Sequence, residues 1–413
     1  MLVKILLPKR ANREWRRLLS QITLVRPMKP FASLSLAFMQ EVSKVLMIRE
    51  RSLNSELKKL THWTNKAHLM KIYQDYKAKR QDRFLLPRGV VLHFTPANID
   101  SLFVYSWFMS LLMGNSNVIR LSRNKSPQIT LLLEVLNNVL SQKRFRPIQE
   151  RSLIVSYGHQ QEITKELSQR CHVRVIWGGD QTIREIRAVS LPSRAIEIVF
   201  ADRFSIAAIK AETVLAASAR EVNKLAKNTY HDTLFFTQKG CFSPKLFFWI
   251  GKKKAINNAK QRFWSAIEKL ASQEEIDWPK GIGIARMTTG YRYAAEGIAD
   301  ELSTVSTKFP YRIHLQKVKK NLREIHSGGG IFLEAEKTSL MAILELIVPK
   351  DQTLSVYGFS GHELKRFASQ LSGYGLDRIV PIGQASNFQV VWDGYDLFTY
   401  FTREVTINAL KER

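Results

Sequence analysis

Cysteine is almost absent from this chain: Cys171 and Cys241 are its only two in 413 residues. Two thiols do not make a disulfide framework, and a small cross-linked scaffold is excluded. Long hydrophobic runs are missing as well. The most apolar stretch, residues 102–113, falls short of the about 20 residues that span a bilayer, and it carries Ser106 and Ser110. The opening MLVKILLPKR has too brief an apolar run for a secretory signal, and basic residues follow it. A cytoplasmic protein without a transmembrane segment is expected. The nine histidines show no metal-ligand spacing, so no metal is expected. Acidic residues are scarce: 36 Asp and Glu against 63 Lys and Arg give a formal net charge of +27. That excess clusters at residues 9–17, 252–254 and 317–320. It suits an anionic partner, whether nucleic acid, acidic lipid, a phosphorylated cofactor or an acidic carrier protein, or it is a plain solvated surface.

What is present is an ordinary globular composition, 45% hydrophobic, in a chain long enough for two or three lobes. Residues 1–85 read as mostly helical and basic. From Pro87 the pattern becomes short apolar strands alternating with amphipathic helices. Residues 89–95, 153–157, 173–177 and 196–200 read as buried strands. Residues 126–143 read as a helix with Ile129, Leu132, Leu133, Leu136, Val139 and Leu140 on one face. Such alternation implies a parallel sheet covered by helices, with ligands bound beyond the carboxyl ends of the strands. A second set of units begins near Glu212 and takes in Cys241, residues 245–250 and residues 330–336. A further helix is expected over 363–371, with Leu364, Phe367, Ala368 and Leu371 inward, before a strand at 378–383.

Four segments carry candidate chemistry. In PRGVVLHFTPANIDSLFVYSWFMSLLMGNSNVIRLS (residues 87–122), Asn98 follows a strand end. An amide there can donate to a developing oxyanion, or simply cap the next helix. In VRVIWGGDQTIREIR (173–187), Gly178 and Gly179 stand between a strand and a helix. They either let backbone amides approach a phosphate or make a tight turn. In TLFFTQKGCFSPKLF (233–247), Cys241 has Lys239 and Lys245 nearby, and positive charge favours a nucleophilic thiolate. A buried structural cysteine is the plain alternative, and Cys171, just before a strand, is read as core. The fourth segment is the Gly-, Trp- and Asp-rich tail, residues 374–407, which suggests a docking surface. Gly281-Ile282-Gly283 lacks a third glycine in place, and GFSGHE is not a nucleophile elbow.

Taken together, VIWGGDQTIREIR, QKGCFSP and the tail with its WDG resemble the LuxC-type acyl-CoA reductases, a branch of the aldehyde dehydrogenase superfamily, over roughly residues 85–410. The resemblance implies an α/β fold of aldehyde-dehydrogenase type, with two Rossmann-like parallel-sheet domains. The expected division is a basic helical region 1–85, a cofactor-binding domain 86–211 completed by 366–413, and a catalytic domain 212–365 carrying Cys241. Cys241 matches the family's nucleophile, although Phe242 interrupts the glutamine–glycine–cysteine–serine–proline segment. Asn98 matches the oxyanion-hole asparagine, acting with the Cys241 backbone amide. Arg120 takes the place of the lysine that contacts the adenosine ribose and phosphate. Ser122 and Arg123 belong to the same cofactor segment, and Gly178 and Gly179 match the turn beside the pyrophosphate.

Two departures refine the expectation. Hydrolytic aldehyde dehydrogenases carry a glutamate that activates water, whereas the corresponding stretch here reads IVFADRFSIAAI, with Glu197 a few residues earlier. A reductase needs no such water. The acidic residue that would hold the ribose 2′-hydroxyl is also missing; Arg123 and Lys125 stand there and suit a 2′-phosphate. The expected activity is NADPH-dependent reduction of an acyl thioester (acyl-CoA, acyl carrier or acyl-protein) to the aldehyde. An acyl-protein synthetase partner and an oligomer are compatible with this, and no specific nucleic acid is expected. A CoA-acylating aldehyde dehydrogenase acting oxidatively, or a catalytically dead basic binding protein, are the alternatives.

Overall fold

Short runs rich in Val, Ile, Leu and Phe, bounded by Gly, Pro and polar residues, become strands buried on both faces. The computed structural model describes residues 3–49, 55–80, 83–96, 99–123, 126–274, 276, 278, 280–303, 306, 309–326, 328–371, 373 and 375–407. The chain forms two compact units, Met1–Ala201 with Phe388–Arg413, and Asp202–Asn387.

The first unit is built on β1 (Lys4–Leu7), β2 (Val90–Phe94), β3 (Ser116–Leu121), β4 (Ser152–Ser156), β5 (Val173–Trp177) and β6 (Ile196–Phe200), in spatial order β1-β4-β3-β2-β5-β6. Neighbours are parallel except β1, which runs antiparallel to β4 at the edge. The chain steps outward from β2 through β3 to β4, then returns to place β5 on the other side of β2. The loops after β2 and β5 therefore flank a topological switch point, where open α/β sheets bind ligands. The helix Leu102–Leu112 is buried at every residue. The helix Pro127–Leu140 starts where the Ser126 hydroxyl accepts the Ile129 N–H at 3.0 Å, with Pro127 in the first turn. Its buried face holds Ile129, Leu132, Leu133, Leu136, Val139 and Leu140, the residues that the periodicity selects.

The N-terminal region is mostly helical, with helices Trp15–Leu24, Ser33–Ile48, Ser55–Trp63 and Lys66–Lys79. It does not stand apart. Trp15, Leu19 and Ile22 share one core with Leu92, Val118 and Leu153. The opening run is a strand: Ile5 and Leu7 are buried while Lys4 is exposed, an alternation too short to stand out in sequence.

The second unit holds β7 (Phe204–Lys210), β8 (Pro244–Ile250), β9 (Ala299–Leu302), β10 (Tyr311–Leu315), β11 (Ile331–Lys337), β12 (Asp351–Tyr357) and β13 (Arg378–Pro381), in order β9-β10-β11-β8-β7-β12-β13. Only β9 is antiparallel to its neighbour. The division between units falls before β7 and after Asn387, not at 211–212 and 365–366. Long-range pairing decides this: β7 lies between β8 and β12, and β13 pairs with β12. The helix Gly361–Ala368 buries Phe367, whereas its last residue, Ala368, is exposed rather than inward.

Candidate active site

Cys241 sits in the second unit, on the loop that leads into β8, and is partly exposed. The loop is built under constraint. Thr237 and Gln238 both adopt left-handed backbone, with φ of 47° and 58°, a conformation costly for residues with a Cβ. They are held from two sides. The Gln238 side chain is buried, and its amide donates to the Pro244 carbonyl at 3.0 Å. The Gly329 N–H donates to the Thr237 carbonyl at 2.9 Å. Gly328, at φ 76°, passes so close that a Cβ there would lie 2.9 Å from the Gln238 carbonyl oxygen. Gly240 is dictated by Phe242, whose ring folds back to within 2.7 Å of where a Gly240 Cβ would be. The residue that departs from the family segment therefore packs against the glycine preceding the cysteine.

The loop then turns. The Ser243 N–H donates to the Gly240 carbonyl at 3.0 Å, the Ser205 hydroxyl to the Cys241 carbonyl at 2.6 Å, and the Gln352 side-chain amide to Cys241 Sγ at 3.4 Å. Lys245 is buried on β8, and its Nζ donates to the carbonyls of Gly240 at 3.1 Å and Ser243 at 3.4 Å. Burial pulls its pKa down to about 8, and the strongest opposing influence is Cys241. His326 is fixed as the neutral Nε2–H tautomer: Nε2 donates to the Ile331 carbonyl and Nδ1 accepts the Gly328 N–H, both at 2.9 Å. Burial, reinforced by the Lys245 charge, pushes His326 down to about 3. Sequence reading found Cys241 and noted Lys245. It missed Gln352 and Ser205, which come from strands β12 and β7, and His326, Gly328 and Gly329, which lie on the segment just before β11; none gives a local signal.

Cys171 is core, as read from its position. Its thiol donates to the Ser168 carbonyl, and burial pushes its pKa up to about 12. Cys171→Ala is expected to leave catalysis within about twofold and to cost at most about 1–2 kcal/mol of packing. A loss of activity beyond that, with folding intact by circular dichroism, would give Cys171 a role in the chemistry.

The cofactor candidates belong to the first unit. Arg120, at the end of β3, donates to the carbonyls of Tyr157 at 3.2 Å and Gly158 at 3.4 Å, and its guanidinium lies 5.4 Å from the centroid of the Tyr157 ring. Burial pulls its pKa below the ordinary arginine value. The Arg123 guanidinium lies 3.0 Å from where a Cβ on Gly158 would be, so the two arginines converge there. Among the described residues neither makes an ion pair, and the buried Gln160 Oε1 beside them has no hydrogen-bond partner there. The Ser122 carbonyl accepts from Ser156 Oγ at 3.2 Å, which ties this segment to β4. Gly179 caps the helix Asp180–Arg187, with nothing within 4 Å of a Cβ built on it, while a Cβ on Gly178 would meet Thr182 at 3.2 Å. Two uncompensated cations, an orphaned acceptor and an open helix N-terminus fit a phosphorylated dinucleotide. Glu197 is unavailable as a base, because its carboxylate is shared by Arg174 at 2.5 Å and Arg187 at 2.6 Å. Asn98 and Lys125 lie outside the described residues. Among the described residues no cluster of His, Cys, Asp or Glu could hold a metal ion, and no helix is long and apolar enough to cross a membrane.

This architecture is that of the aldehyde dehydrogenases. The chain superposes on aldehyde dehydrogenase 21 from Physcomitrella patens with a TM-score of 0.69 at 9% identity, covering 96% of this chain and 90% of that one. It also superposes on 3,6-anhydro-L-galactose dehydrogenase with a TM-score of 0.68 at 13% identity, covering 98% and 95%. Within that fold the chain belongs to the acyl-CoA reductase (LuxC) family, whose profile matches residues 9–404. Its relatives include the long-chain acyl-protein thioester reductases of Aliivibrio fischeri, 25% identical over 199 residues, and Photorhabdus laumondii, 24% identical over 316. The first match covers 47% of this chain and 38% of the relative, the second 74% and 60%. The matched stretches thus span less than two thirds of these relatives' length.

Proposed function

We propose that the protein reduces an acyl thioester to the aldehyde through an acyl-Cys241 intermediate, using NADPH. The observation that carries this reading is a partly exposed cysteine on a braced loop, with an amide donor on its sulfur and a lysine ammonium behind it. The Cys241 thiolate attacks the thioester carbonyl. Asn98 and the Cys241 N–H bear the tetrahedral oxyanion, each donor being worth about 10²–10³ in rate. The carbon–sulfur bond to the donor breaks and the donor leaves as its thiolate, which takes a proton from solvent, so Cys241 carries the acyl group as a new thioester. NADPH, when bound, supplies the hydride that reduces the acyl carbon. Cys241 holds the resulting hemithioacetal oxyanion and leaves as thiolate when the aldehyde departs. With Glu197 committed to two arginines, hydrolysis to the acid has no base from that quarter.

The substrate class is an acyl-CoA, an acyl carrier or an acyl-protein, the last delivered by a synthetase partner. Residues of the first unit would hold the cofactor: Arg120, Ser122 and Arg123 at the adenosine end, and the backbone of Gly178 and Gly179 at the pyrophosphate. The test is incubation with acyl-CoAs of varied length and NADPH while aldehyde formation is followed. Acid rather than aldehyde as product would overturn the reading.

Cofactor choice is a separate expectation. Arg123 has no carboxylate partner among the described residues, and a 2′-phosphate would compensate it. Arg123→Glu is expected to narrow or reverse a preference for NADPH over NADH, read as the ratio of kcat/KM values. Equal use of both cofactors by the unaltered protein would remove the assignment.

A further inference from the structure

Lys245 is a cation in an unusual position. It is 8% exposed, and its Nζ is satisfied by two neutral carbonyls, those of Gly240 and Ser243, which bracket Cys241. Beneath it the Phe204 ring centroid lies 5.6 Å away. A buried ammonium is costly unless a negative charge compensates it. Asp202 is paired with Lys350 at 2.9 Å, and Lys350 also binds Glu324 at 2.7 Å. Asp351 is bound by Arg323, whose guanidinium lies over the same Phe204 ring. His326 is held neutral by its two backbone partners. Lys239 is exposed. Among the described residues Lys245 has no carboxylate in salt-bridge contact; the acidic groups that favour its charge are the Cys241 thiol first and, more weakly, Asp202, which is already paired with Lys350.

We infer that Lys245 is a positioning residue whose buried ammonium, together with the Gln352 amide on the sulfur, holds Cys241 as the thiolate before any substrate arrives. The inference rests on the reading of Cys241 as the acyl-bearing residue, and it adds what ionises that residue. Lys245 acts in two ways through one group. Its bonds to the carbonyls of Gly240 and Ser243 fix the turn that presents the sulfur, and its charge lowers the cost of losing the thiol proton to solvent. Direct contact with the sulfur falls to Gln352, which reaches the loop from β12. The electrostatic influence is mutual, since Cys241 is what most favours the charged form of Lys245.

The experiment is the rate of alkylation by iodoacetamide across pH, on the full chain carrying Cys171→Ala so that Cys241 alone reports. Alkylation follows the thiolate and rises through its pKa. The expected midpoint lies below about 7.5, the upper end for cysteines beside a cation, rather than near the ordinary value of about 8.5. Lys245→Met is expected to raise the midpoint by one pH unit or more, which slows alkylation by roughly tenfold at pH values well below both midpoints. Lys245→Arg, which keeps the charge, should hold it low. Gln352→Leu should raise it by less. A merely structural clip would alter amplitude or stability without moving the midpoint. If Lys245→Met fails to fold, the unaltered Cys241 still decides: a midpoint near the ordinary thiol value overturns the inference. The acyl adduct, measured by mass on the same proteins, separates this from the proposed function. An adduct with an ordinary midpoint sinks the role of Lys245 alone. A low, Lys245-dependent midpoint without any adduct upholds that role and sinks the reductase reading.

Discussion

Cys241→Ala is expected to abolish both acylation and aldehyde formation. In the unaltered protein, acyl donor supplied without NADPH should leave a mass increase on the peptide spanning Gly240 to Lys245, and NADPH should then discharge it as aldehyde. Removing the sulfur removes the only group proposed to carry the acyl chain. The expected loss is therefore on the scale of a deleted nucleophile, roughly 10⁶-fold or down to background. The substitution is small, and the Cys241 carbonyl can still accept from Ser205. The fold should survive, as should cofactor binding through the separate unit that holds Arg120 and Arg123. Aldehyde made at the normal rate by this variant would end the mechanism.

The largest expected effect on stability is at Asp351. Its carboxylate is fully buried and receives Arg323 Nε at 2.8 Å, Arg323 Nη2 at 2.7 Å and the Val348 N–H at 2.9 Å. Arg323 is buried too, and its Nη2 also donates to the Leu346 carbonyl at 2.8 Å. Asp351→Ala would strand a guanidinium in the interior. Breaking such a pair from one side costs about 3–5 kcal/mol, whereas replacing both partners by apolar side chains is often near neutral. The urea midpoint of Asp351→Ala should fall accordingly, and Asp351→Leu combined with Arg323→Met should recover much of the loss. Asp351 also begins β12 immediately before Gln352, so a displaced strand start should weaken the donor to Cys241 Sγ. A destabilisation below about 1 kcal/mol would mean that the pair contributes little.

By itself the sequence determined the alternating strand–helix order, the buried strands β2, β4 and β5, the helix over residues 127–140, and the nucleophile candidate. Each rests on local signals: apolar periodicity, or a glycine before a cysteine with lysines nearby. It also separated the two cysteines, because Cys171 stands just before a buried strand while Cys241 follows a glycine and has Lys239 and Lys245 nearby. What it could not reach was set by pairing across long separations. Only the tertiary pairing assigns β7 and β13 to the second unit, brings Gln352 to the Cys241 sulfur across 111 positions in the chain, and lays Gly328 and Gly329 against Thr237 and Gln238. Glu197 reads as a spare carboxylate in sequence and becomes a shared ion-pair partner when Arg174 lies opposite it in the parallel register of β5 and β6. Lys245 follows the same rule. Its charge is visible in the letters, but its burial, with no carboxylate in salt-bridge contact among the described residues, exists only once β8 is covered on both faces.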